Sequence, residues 1–195
     1  MDQAHSIVWR RQDQLGLEFA KLVGIDGEWY LTGTVVLVKD RMPCELRYRV
    51  VCAPDWRTES VDIRGTLGVQ PVSIQVANDA QLGWVMNGGL CAGLDGCMDV
   101  DLAFTPATNT LPIRRLGLSV GESADVSAAW LRFPEMSLER LEQRYTRTGE
   151  STYRYESGGG SFVRELIVTP DGLVQEYPGL WRAESEQYDE ATNGA

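Results

Sequence analysis

The chain has 195 residues, enough for one medium domain that builds its own hydrophobic core without disulfide or metal staples. Hydrophobic residues make up 43% and charged residues 24%, with 20 Gly and 8 Pro, which excludes a collagen-like or disordered chain. Lys and Arg number 18 against 28 Asp and Glu, and a net charge of −10 excludes broad attraction to nucleic acid or to an anionic membrane surface.

Taken in chain order, the dominant hydrophobic period is two. The start, with Asp2 and His5 around no apolar run, is not expected to be a signal peptide and is expected to fray, so His5 is not counted as a catalytic or metal-binding group. An Asp26-Gly27 turn precedes EWYLTGTVVLV (28–38), and ELRYRVVC (45–52) and RTESVDIRG (57–65) follow, rich in β-branched and aromatic residues. In the third, Glu59, Val61 and Ile63 share one face while Ser60, Asp62 and Arg64 share the other. Residues 96–102 and 111–118 read as strands on either side of a polar loop, 105–110. Further strand candidates are 124–133, 151–156, 161–169 and 172–175, the last pair joined by a Pro170-Asp171-Gly172 turn. Residues 135–148 fit either state: Leu138, Leu141 and Tyr145 have helical spacing behind a Ser137 cap, while Leu141, Gln143 and Tyr145 suit one strand face. Gly158, Gly159 and Gly160 read as a loop tip, since no lysine or helix start follows to make a phosphate cradle. Residues 183–195 are acidic and poor in apolar side chains, so the expectation is a single mainly β domain over 1–182, with about 10–14 strands, followed by a disordered tail. That tail takes four acidic charges with it and leaves the body near −6.

Cys44, Cys52, Cys91 and Cys97 form no C-x-x-C pair, and His5 is the only histidine, so no metal site and no cofactor are expected and the thiols read as free. With no apolar run of 18 residues, the expectation is a reduced, cytoplasmic protein without membrane insertion. Six Trp and seven Tyr are many; such rings fill a β-rich core or line a concave site.

The most informative segment is LDGCMDVDLAFTPATNTLPIRRLGL, residues 94–118. On a strand, Asp99 and Asp101 project from one face with α-carbons about 7 Å apart. Arg114 and Arg115, as strand neighbours, point to opposite faces, so at most one joins the aspartates. Asp99, Asp101, Thr105, Asn109 and one arginine then form a polar cluster suited to hydroxyl-rich or phosphorylated head groups. The same letters also describe a solvated strand face, a capped loop and a surface arginine. Two carboxylates without further acidic neighbours make a poor cation site.

The run GCMDVDLAFTPATNTLPIRRL (96–116) resembles the signature of a glycolipid-binding family of bacterial proteins. APDWRTESVDI (53–63), Gly83-Trp84, WLRFPEM (130–136), QRYTR through YRYES (143–157) and DGLVQEYPGLW (171–181) resemble its other blocks, so the likeness spans about residues 5–182. The resemblance implies a mostly antiparallel sheet, strongly curved or closed to a half-open barrel, akin in shape to bacterial lipoprotein carriers. It supplies no catalytic residues. It favours a binding protein holding an amphipathic molecule or glycolipid in a β-lined cavity. Candidate aromatic walls are Trp56, Trp84, Trp130, Tyr153, Tyr155 and Tyr177; candidate polar contacts are Arg57, Asp99, Asp101, Thr105, Asn109, Arg114 and Arg115. Two alternatives stand beside it: a hydrolase of sugar or phosphate head groups using Asp99 and Asp101 as an acid/base pair, and a scaffold binding a protein through an exposed sheet edge. A homodimer is compatible with each.

Overall fold

A computed structural model describes residues 4–189. Eight strands follow one another as hairpins: β1 (Ala4–Arg11), β2 (Gly16–Ile25), β3 (Glu28–Lys39), β4 (Met42–Cys52), β5 (Thr58–Leu67), β6 (Gln70–Asp79), β7 (Gly83–Met86) and β8 (Gly89–Leu90). The chain then leaves this meander through β9 (Asp99–Leu102), a 3-10 turn (Ala107–Asn109) and helix α1 (Thr110–Leu116). A second meander follows, made of β10 (Ser123–Leu131), β11 (Leu138–Arg147), β12 (Thr152–Ser157), β13 (Phe162–Val168), β14 (Val174–Tyr177) and β15 (Trp181–Asp189).

Turn chemistry sets the first meander. The β2–β3, β3–β4 and β7–β8 hairpins close through Asp26-Gly27, Asp40-Arg41 and Asn87-Gly88, and in each pair both residues have positive φ. That is the type I′ geometry whose twist matches the flanking strands. The two meanders meet where β1 pairs antiparallel with β15, so one sheet runs β8-β7-β6-β5-β4-β3-β2-β1-β15-β14-β13-β12-β11-β10-β9. The first and last strands of the chain therefore lie side by side in mid-sheet. β8 and β9 end the order and do not pair with one another.

Period-two patterning holds along the strands. In β2, Gly16, Glu18, Ala20 and Leu22 are buried while Leu17, Phe19 and Lys21 are exposed. The connecting segment lies over the buried face and is bonded to both halves of the sheet: Trp84 Nε1 donates to the Cys97 carbonyl (3.0 Å), Val100 N donates to Thr58 Oγ1 (3.0 Å), and Arg140 Nη1 donates to the Asp95 carbonyl (2.8 Å). Phe104, Leu111 and Ile113 from this segment complete a core with Trp9, Leu46, Ile63 and Leu166. Gly33 sits opposite Tyr48, and a Cβ there would lie 2.5 Å from the tyrosine ring, so its missing side chain is what lets Tyr48 lie flat across β3.

Several expectations change. Among the described residues the sheet has fifteen strands rather than about 10–14; β8, at two residues, is too short to show a period. It is mostly antiparallel, as expected, with β9 joining β10 in parallel, but it is not closed or strongly curled and so is not a half-open barrel. Residues 110–116 form α1, where 111–118 was expected as a strand. Pro112 occupies the first turn, where its missing N–H costs nothing, and Gly117 ends the helix in the left-handed conformation (φ 54°, ψ 36°). Residues 138–147, open between two states, are strand β11. Residues 183–189 belong to β15 rather than to a tail: their backbone pairs with β1 while the side chains of 184–188 are exposed. Residues 190–195 lie outside the described residues. His5 does not fray but is buried in β1.

Candidate functional site

The polar residues of 99–115 are not on a solvated face. Asp99 is 1% exposed and takes a bidentate grip from Arg115, with Nη2 to Oδ2 at 2.6 Å and Nε to Oδ1 at 3.0 Å. Burial pushes the Asp99 carboxyl up, and the Arg115 guanidinium offsets part of that. Asp101 accepts from Gln143 Nε2 at 2.5 Å, and burial pushes it up to about 6. The two carboxylates thus face different partners on different elements, α1 and β11. Asn109 Nδ2 donates to Tyr145 Oη at 2.8 Å, and Tyr145 lies 5.1 Å from Tyr155, which in turn lies 6.1 Å from Tyr177.

Thr105 belongs to a buried cluster built on a group that carried no signal in the sequence. Glu18, on the buried face of β2, accepts from Tyr48 Oη and Thr105 Oγ1, each at 2.6 Å, while its Oε2 has no partner. Burial pushes its carboxyl up to about 8, outweighing the two hydrogen bonds. Glutamate on a strand looks like a solvent-facing residue, and only the register of β2 reveals that this one points inward.

The main pocket is elsewhere. It measures about 490 Å³ and opens where α1 meets the loops of the second meander. Ile113, Val168 and Pro170 supply apolar wall, Tyr153 an aromatic ring, and Arg114, Arg147, Glu150, Ser151 and Thr169 polar groups. Arg147 shapes one side by donating to three backbone carbonyls: Leu118 (2.8 Å), Glu150 (2.6 Å) and Gly149 (3.3 Å). Its guanidinium lies 5.7 Å from the Tyr153 ring centre.

Arg114 shapes the other side. Trp29 and Trp56 stack with ring centres 4.3 Å apart and planes 20° from parallel, and the Arg114 guanidinium carbon lies 5.0 Å from the Trp56 ring centre and 6.0 Å from that of Trp29. Trp56 holds a left-handed backbone, φ 69°, an unusual conformation for a bulky residue and one that persists only where the surroundings enforce it. Gly172, on the turn read from the sequence, supplies the space for Arg114: a Cβ there would lie 3.2 Å from Arg114 Cδ. Among the described residues no carboxylate pairs with Arg114, and its buried Nε has no hydrogen-bond partner. A small void beside it is bordered by Trp29, Trp56, His5 and Asp171. His5 Nδ1 and Asp171 Oδ2 are 2.8 Å apart, and Thr169 Oγ1 donates to the other oxygen of Asp171. Burial pushes the Asp171 carboxyl up, yet the His5 and Thr169 hydrogen bonds together outweigh it and hold the group below the ordinary value.

Of the residues singled out from sequence, Arg114 and Tyr153 line the pocket, and Trp56 backs Arg114. Asp99, Asp101, Thr105, Asn109, Arg115, Tyr155 and Tyr177 lie in the buried network, and Trp84 is bonded to Cys97. Arg57 is exposed and pairs with Asp55 (2.7 Å), and Trp130 is half-buried beneath Arg132. Thr169, Ser151 and Arg147 were missed because a lone Ser, Thr or Arg on a loop has no distinguishing pattern. Among the described residues no cluster of His, Cys, Asp and Glu could hold a metal ion, and no helix is long and apolar enough to cross a membrane.

Comparison with known proteins bears on this pocket. Residues 6–183 match the model of a family described as "Putative glycolipid-binding". The chain is also similar to the crystal structure of a DUF1089 family protein from Pseudomonas aeruginosa, with 30% sequence identity, a TM-score of 0.76, and coverage of 86% of this chain and 91% of that one. No curated protein matches.

Proposed function

The chain belongs to the glycolipid-binding family, and from that premise we propose that it binds a single amphipathic molecule of glycolipid type in the pocket between α1 and the second meander. The pocket itself carries the reading: about 490 Å³ lies in the range of small-molecule sites, and its lining is divided between apolar wall and convergent polar groups. Ile113, Val168 and Pro170 suit an alkyl chain or the apolar face of a sugar. Tyr153 offers a ring for a sugar to stack on, and Ser151 offers a hydroxyl to a sugar oxygen.

The hydrolase reading is not favoured. Asp99 and Asp101 do not line this pocket, and each is committed to a protein partner, whereas acid/base carboxylates must flank the bond they cleave. The test is a titration with octyl glucoside, a sugar on a short alkyl chain, followed by the fluorescence of Trp29 and Trp56. Saturable binding in the native protein and at least tenfold weaker binding in Ser151→Phe, which fills the pocket from its exposed rim, are the expected results. Equal binding in both proteins, or none in either, would overturn the proposal.

A further inference from the structure

Arg114 differs from the other charged groups that line the pocket. Its guanidinium lies over the Trp29–Trp56 stack and its aliphatic stem passes close to the Gly172 turn, so the side chain is held in place. A fixed arginine whose buried Nε lacks an acceptor carries an unfilled requirement, because a desolvated donor left unpaired is destabilising. The other pocket charges do not meet it. Arg147 is a second cation, its donors spent on backbone carbonyls. Glu150 is the lining carboxylate, and it makes no ion pair with Arg114; Asp171, across the small void, is engaged by His5 and Thr169. Two arginines against one glutamate leave the lining net positive, although the whole chain carries −10.

Resting on the pocket assignment above, we infer that the occupant is an acidic amphiphile, its phosphate or carboxylate held by Arg114. A planar fork suits either oxyanion through two parallel N–H···O bonds, and the tryptophan stack keeps the guanidinium plane from turning away. The stack also explains why a positive-φ Trp56 is retained: the strained backbone places the ring that positions Arg114. An acidic body would not draw the protein onto an anionic bilayer, so recognition is of single molecules, with one local cation reading the head group.

Three probes separate the parts of this inference: octyl phosphate, octyl glucoside and inorganic phosphate, each titrated against native protein and against Arg114→Gln and Arg114→Lys, with thermal melts confirming that the variants fold. The expected result is that octyl phosphate binds at least tenfold more tightly than octyl glucoside, that Arg114→Gln abolishes this preference while weakening octyl glucoside less than threefold, and that Arg114→Lys restores part of it. Added salt should weaken octyl phosphate alone. Should inorganic phosphate bind as tightly as octyl phosphate, the anion site stands and the amphiphile reading falls. Equal affinity for octyl phosphate and octyl glucoside, or a preference unchanged in Arg114→Gln, overturns the acidic head group and leaves the pocket assignment intact. No binding of any probe overturns both.

Discussion

Glu18 makes stability depend on pH in a direction opposite to that of most carboxylates. In the unfolded chain it titrates near the ordinary 4.5, while in the folded protein burial raises it to about 8. Between those values the unfolded state has lost the proton and the folded state keeps it, so the unfolded state binds fewer protons and stability falls as pH rises. Below pH 4.5 both states hold the proton and above pH 8 neither does, which confines the effect to that window. At about 1.4 kcal/mol per unit, the shift corresponds to ~5 kcal/mol lost from this one group between pH 4.5 and 8. A domain stable by roughly 5–15 kcal/mol would feel that loss. Glu18→Gln keeps the oxygen that accepts from Tyr48 and Thr105 and removes the titration. Urea unfolding followed by tryptophan fluorescence at pH 5, 6, 7 and 8 should show the variant gaining several kcal/mol on the native protein across the series. Parallel pH profiles for the two proteins would refute the reasoning.

Three further outcomes follow from the packing. Arg115→Ala strands Asp99 as a buried charge without its partner and should cost about 3–5 kcal/mol in the same urea assay; a loss under 1 kcal/mol would show that the pair is not desolvated as described. Gly33→Ala places a methyl 2.5 Å from the Tyr48 ring and should cost about 1–3 kcal/mol by overpacking, whereas Tyr48→Phe in the same background leaves that clash in place. Burial pushes the Cys52 thiol up to about 12, with smaller rises at Cys44 and Cys97, so iodoacetamide at pH 8 should label Cys91 first in the folded protein; early labelling of Cys52, read by peptide mass, would contradict its burial.

Fold class was legible because period-two alternation is a local property of long strands, and β3 to β5 run for ten residues or more. The Asp26-Gly27 turn was legible for the same reason, since two residues specify it. What a local pattern does not carry is register and distance along the chain. Glu18 reads as surface until β2 is placed, and His5 reads as loose until Asp171, far along the chain, closes on it. Residues 183–189 have polar side chains and the signature of a tail, yet backbone pairing with β1 orders them. Reading 111–118 as a strand put Arg114 and Arg115 on opposite faces for the wrong reason. On the helix they still diverge, one to Asp99 and one to the tryptophan stack, so the expectation that at most one joins the aspartates agrees with the structure through a different geometry. The pocket was out of reach because its walls come from α1 and from two separate turns of the second meander, each unremarkable alone.

The claim that this pocket holds an amphipathic ligand is tested most directly by purifying the protein without detergent, releasing it under native conditions in a mass spectrometer, and comparing it with Ser151→Phe. The account predicts one co-purified amphiphile per chain in the native protein and its loss from the variant at unchanged melting temperature. The same molecule retained equally by both proteins would place the ligand elsewhere and contradict the claim.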